Sequence, residues 1–145
     1  MALTIGLVAC TTEEYLMRGI VLVTLLRLFA NFDNRFARIL PPVIISSILF
    51  GMEHFLNLAS QNLSFTIVQV CIAITMGFVF ASIFLRTGNL LYPMICHFEI
   101  DFLLTLLHGA PHDINVSFQS SIPVMLFYLF IGLIILIPVL ENDKN

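Results

Sequence analysis

The sequence predicts an all-α, polytopic membrane bundle of about five helices around a polar cavity between helices 1, 2 and 4. Three observations lead there. Of 145 residues, 59% are hydrophobic and only 10% charged, against about 25% charged in a soluble domain; with a mean hydropathy of +1.03, such a chain cannot cover a water-facing surface. The apolar runs are long and continuous, unlike the roughly 10-residue alternating segments of an outer-membrane barrel. Several ionisable groups nevertheless fall inside those runs, where a charge at mid-bilayer costs roughly 2.5–3.5 kcal/mol on insertion scales. The net charge of −3 comes with no basic patch, which gives no footing for nucleic acid.

Residues 1–10 form a short apolar piece that continues into the first helix or lies at the interface. They lack a basic leader and an evident cleavage site, so they do not read as a signal peptide. Thr11 followed by Glu14 has the form of a capping box and places the first helix at about 12–30, about 28 Å long. Residues 31–40 are a polar break carrying Asp33, Arg35 and Arg38. Pro41-Pro42 opens the second helix in its first turn, where proline is tolerated; the helix runs to about residue 58 and contains Phe50-Gly51-Met52-Glu53-His54. After a turn at 59–63, the third helix covers about 64–86, with Ala73, Gly77 and Ala81 as a small-residue seam for close packing. Thr87-Gly88-Asn89 makes a tight turn into the fourth helix, about 90–108, which has Pro93 in its opening turns and then His97, Glu99 and Asp101. A polar loop at 109–120 has His108 and His112 near its start. The fifth helix, about 121–140, has no ionisable residue and faces lipid or packs on its neighbours; the tail is solvated. With no internal repeat or low-complexity segment, residues 1–145 read as a single domain. Cys10, Cys71 and Cys96 sit in apolar runs at unrelated spacings and read as buried inert thiols, not a disulfide framework.

Arg27, Arg35, Arg38 and Arg86 lie near the ends joined by the first and third connections. The positive-inside rule makes those ends, and the C-terminus with them, cytoplasmic.

The stretch Glu13-Glu14-Tyr15-Leu16-Met17-Arg18 heads an otherwise membrane-grade run. Glu14 and Arg18, four apart, share a helix face and can pair, while Glu13 points about 100° away from Glu14. Phe50 and His54 share a face on the second helix, as do His97 and Asp101 on the fourth. Each group alone has a bland explanation: a structural ion pair, a hydrogen-bonded packing histidine, an aspartate near the headgroups. Each also carries an insertion cost, and one shared polar cavity is the economical solution for all of them. Such a cavity suits hydrolysis. A carboxylate in a low-dielectric site can act as general base on water, a histidine can orient that water, and a second polar pair can hold an oxyanion. The same residues also match a divalent metal, with His and carboxylate at i, i+4 and a second His from another helix. Glu53 and Glu99 flank the histidines but point to other faces. Cys96 and His97, as neighbours in a helix, diverge and cannot form a nucleophile–base pair.

Three motifs follow in order: Glu13-Glu14-x-x-x-Arg18-Gly19, then Phe50-Gly51-Met52-Glu53-His54 with Asn57, then Thr87-Gly88-Asn89-Leu90, Pro93 and His97-x-x-x-Asp101. Together, over residues 11–105, they resemble the motifs of the CPBP family, the CAAX proteases and bacteriocin-processing enzymes also called the Abi family. The resemblance implies a helical intramembrane endopeptidase with its active site in a membrane-embedded cavity. By similarity, Glu13 is the base on the attacking water, His54 positions the water, His97 and Asp101 support the oxyanion, and Glu14 and Arg18 brace the site. A glutamate mechanism without a cofactor is the implied chemistry, with zinc as the alternative. The implied partners are a peptide or lipidated protein substrate at the bilayer and membrane lipids, with no oligomeric state specified. A bacterial cell membrane is favoured over an endomembrane. Met17 stands where the family usually has Phe, and Asp101 where Asn is common. Relatives commonly carry several helices ahead of the first motif, so the chain reads as a catalytic core shortened at its N-terminus. The competing readings are a non-catalytic immunity or scaffold protein that keeps the cavity for binding, and a small transporter or channel subunit with a proton relay. The last lacks repeats and discontinuous helices.

Overall fold

The computed structural model describes residues 2–108 and 117–141, all helix and short turns, with no strand among them. The first rod is continuous. Helix α1 (Ala2–Glu14) passes into a π-helical stretch, Tyr15–Leu22, and then into α2 (Val23–Leu28). It is followed by α3 (Arg35–Glu53), a 3-10 turn at His54–Ala59, α4 (Leu63–Thr87), α5 (Leu91–His108) and α6 (Phe118–Glu141). This is a helical membrane bundle of five rods. Three of its segments, Arg35–Ala59, Leu63–Thr87 and Phe118–Glu141, are long and apolar enough to cross a membrane. Of the expected loop with His108 and His112, α5 reaches His108, whereas 109–116 and His112 with them lie outside the described residues, as do 142–145.

The expected helix starts need two corrections. Thr11 does not cap the first helix, which begins about nine residues earlier. Its hydroxyl donates to Leu7 O at 2.6 Å, and Thr12 does the same to Val8 O, the i−4 back-bonding of a mid-helix threonine. The apolar N-terminal piece is helical because it has a partner. It packs along α5, where Gly6 lets the Phe98 and Phe102 segment approach closely. Nor does Pro41-Pro42 open the second helix. That role belongs to Asn34, whose side chain accepts from Phe36 N at 2.8 Å. The two prolines lie inside α3. Proline is tolerated inside membrane helices, where neighbouring groups re-satisfy the freed backbone. The same helix ends sooner than expected, at Glu53, tightening into the 3-10 turn.

Helix α4 lies at the centre. Asn62 caps its start by accepting from Phe65 N, and Gly88 ends it at φ 65°, a left-handed position that favours glycine. Its small-residue seam is buried and packs on α3. Gly51 on α3 has no room for a side chain, since a Cβ there would meet Ile74 and lie 2.8 Å from Val70 O. On the other side α4 holds α6 through Phe78, Ala81, Leu136 and Leu140. Arg35 Nε donates to Val139 O at 2.7 Å. This ties the start of α3 to the last turn of α6 and satisfies one of that helix's terminal carbonyls.

Candidate functional site

The polar groups converge where the first rod, α3, α4 and α5 meet. Glu14 is the hub. Its side chain has 0% exposure, and Oε1 accepts from Arg18 Nη1 at 3.0 Å and from His97 Nδ1 at 3.0 Å. Arg18, 1% exposed, uses its second terminal nitrogen to donate to Gly77 O at 3.0 Å. Its guanidinium lies 4.3 Å from the Phe50 ring centroid and 5.3 Å from that of Phe80. A planar cation can do all of this at once, donating in its plane and stacking on its faces. The approach needs Gly77, because a Cβ there would sit 3.3 Å from Arg18 Nη2 and 3.0 Å from the Phe50 ring. The π-helical stretch begins directly after Glu14 and carries Met17, Arg18 and Leu22 as its buried residues. Such wide turns recur at functional sites.

His97 is held on every side. Its ring stacks on Phe80, centroids 5.0 Å apart, and meets Phe50 edge-on at 5.6 Å. Because a carboxylate only accepts, the Nδ1 bond to Glu14 is a donation from the ring. That fixes Nε2 toward the remaining carboxyl groups, Asp101 at 3.3 Å and Glu13 at 3.8 Å. Glu13 and Asp101 are 31% and 26% exposed. They form the accessible edge of a cluster whose interior, Glu14 with Arg18, is closed. A pocket of about 230 Å³ lies away from this edge, lined by Leu26, Ala30, Arg35, Arg38 and Ile39.

Of the residues expected here, Glu13, Glu14, Arg18, His97 and Asp101 are thus brought together. His54 lies beside them without joining the hydrogen-bonded network. Its Nδ1 is 3.2 Å from Phe50 O and its ring packs edge-on against Phe50 at 5.6 Å. The turn that carries it is pinned to α4 by Asn57, which donates to Gln69 at 3.1 Å. Glu99 is exposed and away from the cluster. Glu53 departs from expectation. It does not point elsewhere: its half-buried carboxyl group lies within electrostatic reach of Glu13, Arg18 and His97, and its Oε1 is buried without a hydrogen-bond partner among the described residues. The tightening of the chain at His54 alters the helical phase on which the expectation rested. Its insertion cost was the signal that could have marked it. Phe80 and the Gly77 carbonyl are also parts of the site, and only the small-residue seam hinted at the latter. The three cysteines are free thiols; Cys10 is buried, while Cys71 and Cys96 are half-buried.

Among the described residues, no group of three or more His, Cys, Asp or Glu side chains is arranged to hold a metal ion. Glu14 Oε1 is shared by two donors, and the His97 ring nitrogens face carboxyl groups.

A membrane-type helical bundle with clustered carboxylates, a braced histidine and a partly open edge is an arrangement suited to acid–base chemistry. Comparison with protein families narrows the class. The family described as type II CAAX prenyl endopeptidase, Rce1-like, matches residues 1–103. The chain belongs to that family, a membrane-embedded protease family, and the matched region contains every residue of the cluster. Comparison with curated proteins and with solved structures gives no match.

Proposed function

We propose that the chain is a multi-pass intramembrane endopeptidase of a bacterial cell membrane. It cleaves a peptide bond in a prenylated or otherwise membrane-presented protein segment by means of water activated by Glu13. The observation that carries this reading is the unequal setting of the adjacent glutamates. Glu14 is closed in and committed to Arg18 and His97, whereas Glu13 is partly exposed at the edge beside His97 Nε2. A general base must reach water and substrate, and only one of the two carboxylates can.

Glu13 takes a proton as the water oxygen bonds to the scissile carbonyl carbon, and the carbonyl electrons move onto oxygen. His97, held by Glu14, presents Nε2 to the developing oxyanion, and Asp101 keeps that nitrogen oriented. Glu13 then returns its proton to the leaving nitrogen as the C–N bond breaks. His54, at the edge of the same cluster, orients the water.

The test is cleavage of farnesylated CAAX peptides and of a broad unmodified peptide library by the purified protein in detergent or nanodiscs. Wild type is expected to cleave, and Glu13→Ala, Glu13→Gln and His54→Ala to lose about a hundredfold or more in kcat/KM. Wild type that cleaves no substrate, or variants that all match it, would overturn the reading. Binding without cleavage would instead identify a non-catalytic member of the family.

A further inference from the structure

The pocket remote from the cluster lies where the first rod ends and α3 begins. It holds about 230 Å³, and none of its lining residues belongs to the cluster. One wall is apolar. Leu26 and Ile39 on that wall pack on the buried core shared by α3, α4 and α6, which fixes its shape. The other wall is cationic. Arg35 and Arg38, three apart in the first turns of α3, share a helix face, and both are half-buried. Arg35 is held in place by its Nε bond to Val139 O at 2.7 Å, and its two terminal nitrogens have no partner among the described residues. The Arg38 side chain has none among them either. Asp33 in the preceding turn and Glu141 at the end of α6 are exposed, and neither pairs with these arginines. The positive end of the 19-residue helix α3 adds to the same field.

The surroundings specify the kind of anion. Arg35 opens a segment long and apolar enough to cross a membrane, Arg35–Ala59. The chain around that point exposes Leu28 at 69%, Phe32 at 53% and Phe36 at 50%. Large apolar side chains beside arginines mark the boundary between acyl chains and headgroups. A phosphate accepts from planar guanidinium forks, and a hydrocarbon chain attached to it can lie along Leu26, Ala30 and Ile39. We propose that this pocket binds the phosphate of an anionic phospholipid. The two arginines have no protein anion to neutralise them, so a lipid with net negative charge is preferred over a zwitterionic one. The bound headgroup ties the end of the first rod to α3 and, through the Arg35 anchor, to the last turn of α6. The site is independent of the peptidase reading.

The test uses the purified full chain, delipidated in an uncharged detergent and then given phosphatidylglycerol or phosphatidylcholine. Retained lipid is counted by native mass spectrometry, and thermal unfolding is followed by circular dichroism. Wild type should bind phosphatidylglycerol about tenfold or more tightly than phosphatidylcholine and unfold at a higher temperature with it. Arg38→Gln, which breaks no side-chain contact among the described residues, should lose most of that preference and most of the thermal shift. Arg86→Gln removes the same charge from the exposed last turn of α4, outside the pocket, and should keep both. Equal binding of the two lipids by wild type would overturn the proposal. So would equal losses in Arg38→Gln and Arg86→Gln, which would show a diffuse effect of charge and no defined site. Inorganic phosphate without lipid separates the two sources of the same group. It should not reproduce the thermal shift; a shift equal to that with phosphatidylglycerol would identify a free anion as the ligand and overturn the lipid assignment.

Discussion

Glu14 and His97, 83 residues apart in sequence, are joined by a 3.0 Å hydrogen bond through the same carboxylate oxygen that holds Arg18. One buried atom thus couples the ion pair of the first rod to the imidazole of α5. It also separates two duties that the sequence places side by side, since Glu13 has no comparable set of fixed cationic partners.

That separation can be measured. Glu14→Gln removes the charge opposite a fully buried guanidinium, and breaking a buried pair costs about 3–5 kcal/mol. Glu13→Gln changes a group that is 31% exposed and whose nearest ring nitrogen is 3.8 Å away. Thermal unfolding followed by circular dichroism in detergent should show a large drop in midpoint for Glu14→Gln and a small one for Glu13→Gln, the reverse of their order in loss of catalysis per folded molecule. Equal thermal effects would mean that the two carboxylates are not divided in this way.

Backbone contact between α3 and α4 gives a second expectation. Gly51→Ala sets a methyl group against Ile74 and 2.8 Å from Val70 O. The helices must separate, and overpacking of this kind costs about 1–3 kcal/mol. Gly88→Ala meets nothing within 4 Å, and its cost is that of a left-handed backbone at φ 65°, about 1–2 kcal/mol. Both variants should unfold earlier than wild type. Only Gly51→Ala should also disturb the site, because Phe50, beside it, contacts Arg18, His54 and His97. Unimpaired peptide cleavage by Gly51→Ala would count against that coupling.

Composition made the helical membrane class legible, and the i, i+4 pairs Glu14–Arg18 and His97–Asp101 were legible from spacing because both members lie on one rod. The seam at Ala73, Gly77 and Ala81 marked the packing face of α4. What spacing could not convey is how rods meet. The helicity of residues 2–10 depends on α5, and the start of α3 at Arg35 depends on the Asn34 cap outweighing two prolines. Glu53 was misplaced because a phase argument assumes a uniform helix, and the chain changes from α to 3-10 at the next residue. His54 lies beside the cluster, and its position outside the hydrogen-bonded network depends on that same turn.

The arrangement of ligand atoms bears on metals. Since no three His, Cys, Asp or Glu side chains among the described residues form a metal-holding group, peptide cleavage is expected to survive prolonged treatment with a strong chelator to within about twofold, a change far below the loss that removing a catalytic metal brings. Inactivation by chelator that zinc reverses would show that the site rearranges around an ion and would displace the glutamate mechanism.

Asp101 gives the sharpest test of how His97 works. Its Oδ2 lies 3.3 Å from His97 Nε2, on the partly exposed edge where substrate would arrive. Nδ1 donates to Glu14, and with both ring nitrogens protonated Asp101 orients the ring by accepting from Nε2–H. An asparagine carbonyl accepts in the same place, and its amide adds a donor for the oxyanion. Asp101→Asn is therefore expected to lower kcat/KM by less than about tenfold, whereas Asp101→Leu, which fills the space but accepts nothing, should lose about a hundredfold. Equal losses in the two variants would indicate that Asp101 acts through its negative charge. His97 would then owe its state to the field of a carboxylate and not to a hydrogen-bond acceptor of the right shape.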